Sequence, residues 1–483
     1  MNSEAQSDGR QLTALATPIA MTQLAQVAVS TTNIALMGSL GVDQVAAGGL
    51  ALVLFNQIRT MCVGLITATG NQVATAVSRS EKRNMSADDE IRDVVRASLL
   101  ISTVAGIVGA AVLIGLGWAL RWLGQDAAVL AQARPMMVAL APGLLPCLWF
   151  QVIRQYTVGM RRPQALLLVT VGSVALNVVA ALALMHGWAG LPAMGLTGVG
   201  IATSLVFLIT CAVFWAMVRH DAELGAALTI RRSSPTPPAP QAPPAHRPLR
   251  PVRRSTIAAE LRLGTPIALT YGSEAGLFSV LAVAMGTLGA AALAAHNVVY
   301  QLVYIVFQVA IGLSHGASIL VSRAAARDEI RRARGLAWLA LRHAAVIAAL
   351  VGVLYIAAPD IVLRPFLTSH DGATVRVANQ LLLIAIVLQF FDAAQNIGNG
   401  LLRGLTDTRA GFRLSLVGYW IVGLPTALLL AFPAGLGAVG VWCGLAAGLA
   451  TTAGLMLRRY FTLLSARERS EPRLLAGSLP GHG

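Results

Sequence analysis

Two carboxyl groups stand inside stretches that are otherwise apolar, and their type and position make them the first candidates for chemistry. Asp392 lies in VLQFFDAAQNIGNGLLRG (387–404), which runs on from the apolar LLLIAI, and Glu274 lies in TPIALTYGSEAGLFSVLA (265–282). A charge at a bilayer centre costs about 2.5–3.5 kcal/mol on insertion scales, so such residues face a cavity or a partner. At helical spacing Asp392, Gln395, Asn396, Asn399 and Arg403 share one face, and Thr270, Tyr271 and Phe278 share the face of Glu274. Arg403 is about three turns beyond Asp392, too far to pair with it on a regular helix, and reads as the marker of a cytoplasmic end. A carboxylate away from water can carry a proton, or it can ligate Na⁺ together with hydroxyl, amide and backbone oxygens. Either event changes the local charge and biases one of two conformations. A cationic substrate competing for that charge gives antiport a physical basis, and a hydrogen-bonded structural role is the plainer alternative.

Other residues carry weaker signals. The first apolar run holds a neutral polar stripe of Thr22, Gln26, Ser30 and Asn33. Arg59, mid-span in ALVLFNQIRTMCVG, either lines a cavity and meets an anionic or lipid headgroup, or is held by carbonyls and amides such as Gln57. His296 and His315 read as hydrogen-bonding groups rather than a proton relay. Tyr271, Phe278, Tyr300, Tyr304, Phe390, Phe391, Tyr419 and Trp420 suit drug contacts, although aromatics at helical spacing usually pack. Cys62, Cys147, Cys211 and Cys443 lie singly in apolar runs, without metal-ligand spacing.

The elements that position these groups follow from composition. The 483 residues are 56% hydrophobic and 12% charged, with a mean hydropathy of +0.69, which points to a bundle of lipid-facing helices. Twelve spans are expected, near 12–39, 46–77, 94–120, 131–158, 164–187, 195–219, 258–286, 293–322, 335–358, 376–403, 411–433 and 437–461. The fold expected is an all-α polytopic membrane protein. The net charge of +15 is not a nucleic-acid footprint, because the basic residues cluster in alternate loops. That asymmetry places both termini in the cytoplasm. The first eleven residues are polar, and no cleavable signal peptide is evident.

The segment RRSSPTPPAPQAPPAHRPLRPVRR (231–254) holds eight of the 21 prolines and reads as an extended cytosolic spacer. The sequences on its two sides resemble each other. TPIAMT (17–22) matches TPIALT (265–270), and MGSLG (37–41) matches MGTLG (285–289). Asp126 and Gly159 align with Asp371 and Gly404, and GLTGVGIATSL (195–205) matches GLGAVGVWCGL (435–445). The division expected is a cytoplasmic N-terminus (1–11), a six-helix lobe (12–219), a linker (220–257), a second lobe (258–461) and a cytoplasmic tail (462–483). Each half starts in the cytoplasm, so the repeat is parallel, the arrangement of secondary transporters whose lobes rock about a central pathway. Under this repeat Gln26 takes the place of Glu274. The only lysine, Lys82, lies in SEKRN rather than a phosphate-binding loop, so ATP-driven transport by this chain alone is excluded.

LATPIAMTQLAQVA, LGTPIALTYGSEAGLF and FFDAAQNIGNGLLRGLTDTR, in order on twelve helices, resemble the multidrug and toxic compound extrusion (MATE) family, in its NorM-like bacterial branch, over about residues 12–461. The resemblance implies a V-shaped pair of lobes in a bacterial inner membrane, working as a monomer without a cofactor. It implies export of lipophilic, mostly cationic drugs or metabolites against inward H⁺ or Na⁺. The family's cation-site acids carry over to Glu274 and Asp392, which would also be the metal ligands if the ion is Na⁺. The family's first-lobe aspartate falls on Asn33, so a protonation switch there is not possible as in relatives that have it. With Arg59 in the same lobe, the cavity is expected to attract cations less and to admit neutral or zwitterionic compounds. Candidate cavity residues are therefore Asn33, Gln26, Arg59, Tyr271, Phe278, Tyr300, Gln395, Asn396 and Asn399. A lipid-linked oligosaccharide flippase and a narrow metabolite exporter are the alternatives. An intramembrane hydrolase lacks support, since no GxGD-like or HExxH element occurs, and the chain is not expected to be an enzyme.

Overall fold

In a bilayer no water is available to the backbone, so each amide must be satisfied within its own segment, and long apolar runs close into helices. The computed structural model describes residues 2–476 except 85, 124–126, 163, 191, 222–223, 226–251 and 366–371. Twelve helical segments among the described residues are long and apolar enough to cross a membrane. They are α1 (Ser7–Gly38), α2 (Gln44–Arg83), α3 (Asp88–Trp122), α4 (Ala127–Gly159), α5 (Leu166–His186) and α6 (Gly195–His220) in the first half. The second half has α7 (Arg254–Thr287), α8 (Ala290–Ala326), α9 (Ile330–Ala357), α10 (Gly372–Gly404), α11 (Thr408–Ala431) and α12 (Gly437–Arg469). No strand occurs among the described residues. Most of the proline-rich spacer lies outside the described residues, as do Asp126 and Asp371 of the repeat.

Three of the segments are interrupted. In α2 a turn at Thr67 and Ala68 separates Val42–Ile66 from Thr69–Arg83. In α4 a 3₁₀ turn, Ala141–Gly143, coincides with Pro142, which has no amide hydrogen to donate. In α11 seven residues, Val417–Gly423, form a π-helical stretch just before Pro425. Such stretches rotate the following side chains relative to a regular helix and often mark functional sites.

Burial divides the bundle into two lobes joined at one end. One apolar cluster, with Phe55, Leu113, Met137 and Met185, belongs to the first lobe alone. Another, with Leu281, Tyr355, Leu388, Tyr419 and Trp442, belongs to the second lobe alone. A third crosses between them, placing Leu12, Leu15 and Ile19 of α1 against Leu313, Leu320, Leu401 and Tyr460. The lobes therefore meet at the end where α1 begins and pack separately at the other, which is the V shape.

Two helices are shared between the lobes. On α1, Ala20 faces Gly312 of the second lobe, where a Cβ on that glycine would lie 2.7 Å from the Ala20 nitrogen. On α7, Ala268 faces Gly64 of the first lobe, where a Cβ on Gly64 would lie 2.5 Å from the Ala268 Cα. Gly64 and Gly312 are equivalent under the internal repeat, and so are Ala20 and Ala268, so one contact is made twice. Small residues let backbones approach this closely, and close approach is what drives helix association in lipid. Further along, each shared helix returns to its own lobe. Near Gly272, α7 lies against Met61 of α2, and by Gly276 it lies against Trp420 of α11. On α1, Asn33 bonds to Asn177 and Thr203 of the first lobe.

The joined end is also the basic end. Asn71 Nδ2 donates to Ser318 Oγ and Ser322 Oγ, both at 2.8 Å. Arg323 donates to the Gly159 carbonyl (3.1 Å), Lys82 pairs with Asp328 (2.8 Å), and Arg327 pairs with Glu81. The exposed pairs contribute about 0–1 kcal/mol each, less in salt. The buried amide and the apolar seam therefore carry most of the closure.

Glu260 has no mark in the sequence beyond a place near a basic segment, yet it is fully buried where α7 meets the first lobe. Ser98 Oγ donates to its Oε1 (3.1 Å) and shares a hydrogen bond with Thr69 Oγ1 (2.8 Å), while Oε2 has no partner among the described residues. Ser98→Ala removes the one side-chain donor to this buried carboxyl among the described residues, along with a bond to the Val94 carbonyl (2.9 Å) of its own helix, and a loss of about 1–3 kcal/mol of stability is expected. Ser102→Ala removes a hydroxyl bonded only to Leu99 of its own helix and should cost less. Thermal melting of the two purified variants reads the difference; equal melting would refute a stabilising role for the Ser98–Glu260 bond.

Candidate functional site

The two acids meet inside the second lobe. Glu274 from α7 and Asp392 from α10 are both buried, Asp392 with 6% of its surface exposed. They are close enough for their charges to interact, and among the described residues no basic side chain pairs with either. The face predicted for α10 is realised. Asn396 Nδ2 donates to Asp392 Oδ1 (3.1 Å) and to the Asp392 carbonyl (2.9 Å), and Gln395 Nε2 donates to the Tyr419 hydroxyl (2.6 Å). The π stretch of α11 presents Tyr419 to α10, while the next residue, Trp420, donates from Nε1 to Ser273 Oγ (2.8 Å), one residue before Glu274. Asn399 is buried one turn below Asn396.

An aromatic column adjoins the acids. The Phe278 and Tyr300 ring centroids are 5.0 Å apart, Tyr300 and Tyr304 6.0 Å, and Tyr304 and Phe307 5.8 Å. His296 is held by Trp442, whose Nε1 donates to His296 Nδ1 (3.2 Å), in accord with a hydrogen-bonding role. Carboxylates, amide oxygens and a phenol form a hard-oxygen environment suited to a proton or to Na⁺ as a transported ion. No cluster of three or more His, Cys, Asp or Glu occurs among the described residues, so the acids stand as a pair.

A separate cavity of about 70 Å³ lies in the first lobe, lined by residues that include Gln26, Ser30, Asn33, Asn56, Arg59 and Asn177. Asn33 Nδ2 donates to Thr203 Oγ1 (3.2 Å), and Asn33 Oδ1 accepts from Asn177 Nδ2 (2.7 Å), so Asn33 is a hydrogen-bonded amide in the wall. Arg59 reaches Gln26 Oε1 at 3.4 Å, a marginal bond, and its Nε is buried without a partner among the described residues. The amide expected to hold it was Gln57; Gln26 takes that place. Tyr304 stands within electrostatic range of both Arg59 and Glu274, and so links the two sites.

Arg403 stands in the last turn of α10 at the basic end, yet it is only 3% exposed, donates from Nε to Ser318 Oγ (3.2 Å), and lies against Tyr271. Arg154, near the end of α4, is 4% exposed and bonds Gln23 and Gln151, both at 3.0 Å. The reason is packing: at the closed end the other lobe covers both residues. Tyr271 shares the helical face of Glu274 but turns toward Arg154 and Arg403, one turn nearer the closed end.

A profile of the family described as MatE matches residues 18–183 and 266–429, one match in each lobe. The chain belongs to the MatE family. Among MatE relatives, a probable multidrug resistance protein NorM of Pseudomonas aeruginosa is 33% identical over 92% of this chain and 87% of its own length. One from Bradyrhizobium diazoefficiens is 34% identical over 94% and 93%. The multidrug resistance protein NorM of Burkholderia vietnamiensis is 33% identical over 92% of each. Solved structures share the MatE fold at low identity. The eukaryotic MATE transporter AtDTX14 superimposes with a TM-score of 0.80 at 19% identity, over 96% of this chain and 99% of that one. A multidrug resistance MATE family transporter in an outward-facing conformation gives 0.83 at 17%, over 95% and 96%. The MatE assignment fits a transport pathway between lobes and offers no support for an enzyme.

Proposed function

We propose that the protein is a secondary active exporter of lipophilic, mostly cationic small molecules, driven by inward H⁺ or Na⁺. Glu274 and Asp392 bind the coupling ion. The observation that carries this reading is their burial together without a basic partner, where α7 changes from one lobe to the other. A bound cation supplies the missing charge, so occupancy favours whichever lobe arrangement encloses the acids. The aromatic column beside them suits flat cationic drugs. Clustering of basic residues at the joined end supports a cytoplasmic location for that end and for both termini, in a bacterial inner membrane. The lobes are then closed toward the cytoplasm in this structure, one extreme of alternating access. The complete pathway lies within one chain, which supports a monomer that needs no organic cofactor. The names of the NorM relatives accord with drug export.

The test is ethidium movement in proteoliposomes under an imposed proton gradient and, separately, a sodium gradient. Transport driven by one of the two identifies the ion. Transport driven by neither would overturn the proposal in favour of lipid-linked sugar flipping or a narrow metabolite exporter.

A further inference from the structure

Three buried or half-buried guanidinium groups, those of Arg59, Arg154 and Arg403, have no acidic partner among the described residues. Arg59 lies in the first-lobe cavity, Arg154 stands close enough for its charge to be felt there, and Arg403 faces Arg154's neighbour Tyr271 from the other lobe. Each keeps a buried N–H group without an acceptor: Nε of Arg59, and NH2 of Arg154 and of Arg403. Everything else polar in the cavity wall is neutral, chiefly the amides of Gln26, Asn33, Asn56 and Asn177 and the hydroxyl of Thr203. Unlike Arg154, which is held by two glutamine oxygens, Arg59 has among the described residues one long bond to Gln26 and a contact with the Cys147 thiol. It is the guanidinium that both lines the cavity and remains free to take a ligand. The paired donors of a guanidinium match the two oxygens of a carboxylate.

We infer that the first-lobe cavity is an anion subsite in which Arg59 binds the carboxylate of an amphiphilic substrate, with Arg154 adding positive potential from behind. The inference rests on reading the cavity as part of the substrate pathway. The protein then has two poles of opposite sign, Glu274 and Asp392 in the second lobe and Arg59 with Arg154 in the first, and Tyr304 feels the charge of both Arg59 and Glu274. The substrates this subsite adds to the mostly cationic ones are lipophilic carboxylic acids and zwitterions, whose carboxylate goes to Arg59 and whose ammonium group, where present, points toward Glu274.

The experiment compares binding of a rhodamine that carries a free carboxylate with binding of its methyl ester. Fluorescence anisotropy is read on the purified full chain in nanodiscs without net-anionic lipid. No ion gradient is involved, so failure of the coupling proposal and failure of this one remain distinguishable. Wild type is expected to prefer the free carboxylate by about tenfold or more. In Arg59→Ala that preference should fall close to one, and Arg59→Lys should keep part of it. Asn33→Asp places an acid in the same wall, where it can still accept from Asn177 Nδ2 although the bond donated to Thr203 is lost, and should also reduce the preference; it stands in if Arg59→Ala does not fold. An absence of preference in wild type, or a preference that survives the loss of the Arg59 charge, overturns the inference.

Discussion

Asp392→Asn is expected to abolish gradient-driven efflux while leaving the protein folded. Asparagine has the shape of aspartate, and its carbonyl oxygen can still accept from Asn396 Nδ2, so the local hydrogen bonds on α10 survive. What is lost is the ability to carry a proton or balance Na⁺. A gradient supplies about 2.3 kcal/mol per charge per 100 mV only to a carrier that binds the ion. A ligand shifts a conformational equilibrium only by its differential affinity for the two states, and without the carboxylate that difference collapses. The rate of driven efflux in proteoliposomes should fall by about tenfold or more, with little change in thermal melting. Glu274→Gln should behave in the same direction, because the two charges share one environment. Wild-type efflux by the Asp392 variant would reduce that residue to a structural polar group.

The second large effect concerns the seam. Gly312→Ala puts a methyl group 2.7 Å from the Ala20 nitrogen and Cβ, and Gly64→Ala puts one 2.5 Å from the Ala268 Cα. Neither contact can be relieved by turning a flexible side chain, so the helices must part. Overpacking of this kind costs about 1–3 kcal/mol. Gly335→Ala is the control, since nothing lies within 4 Å of a Cβ there, and helix propensity alone would make it neutral or slightly stabilising. Melting of the three purified variants, together with their efflux rates, decides the matter. The two seam variants should be destabilised to similar extents, because they break repeat-related copies of one contact. A Gly312→Ala protein as stable as Gly335→Ala would mean that the lobes are not held by close helix approach at that point.

Much of this arrangement is legible in one dimension. The twelve spans follow from apolar length, and the α10 polar face follows from spacing, as the Asn396 and Gln395 bonds bear witness. The internal repeat is written in TPIAMT and TPIALT, and the paired Ala20 and Ala268 contacts fall within those words. Other features depend on what one lobe does to the other. Arg154 and Arg403 sit near helix ends, where a basic residue normally reports topology; only the closed seam makes them internal. Glu260 follows a basic segment and reads as a helix start, until the first lobe covers it. The π stretch at Val417–Gly423 is hidden in an apolar run whose glycines and Pro425 are its sole local signals. The orientation of Tyr271 away from the acids was also beyond reach, since a shared helical face fixes direction only to within a broad arc.

The partner exchange along α7 has a mechanical consequence. Between Gly272, set against Met61, and Gly276, set against Trp420, the helix passes from one lobe to the other, and Glu274 is the residue at that crossing. The acid proposed to bind the ion thus occupies a fulcrum. From Glu274 to Thr287 the helix extends about 20 Å at 1.5 Å per residue. A tilt of about 10° at the crossing therefore displaces the far tip by about 3 Å on the same geometry. Gln26 holds the corresponding place on α1 with an uncharged amide. The twin levers are alike in sequence, but only one carries a charge that an ion can engage, so under the proposed coupling the second lobe would be the driven arm and the first the follower.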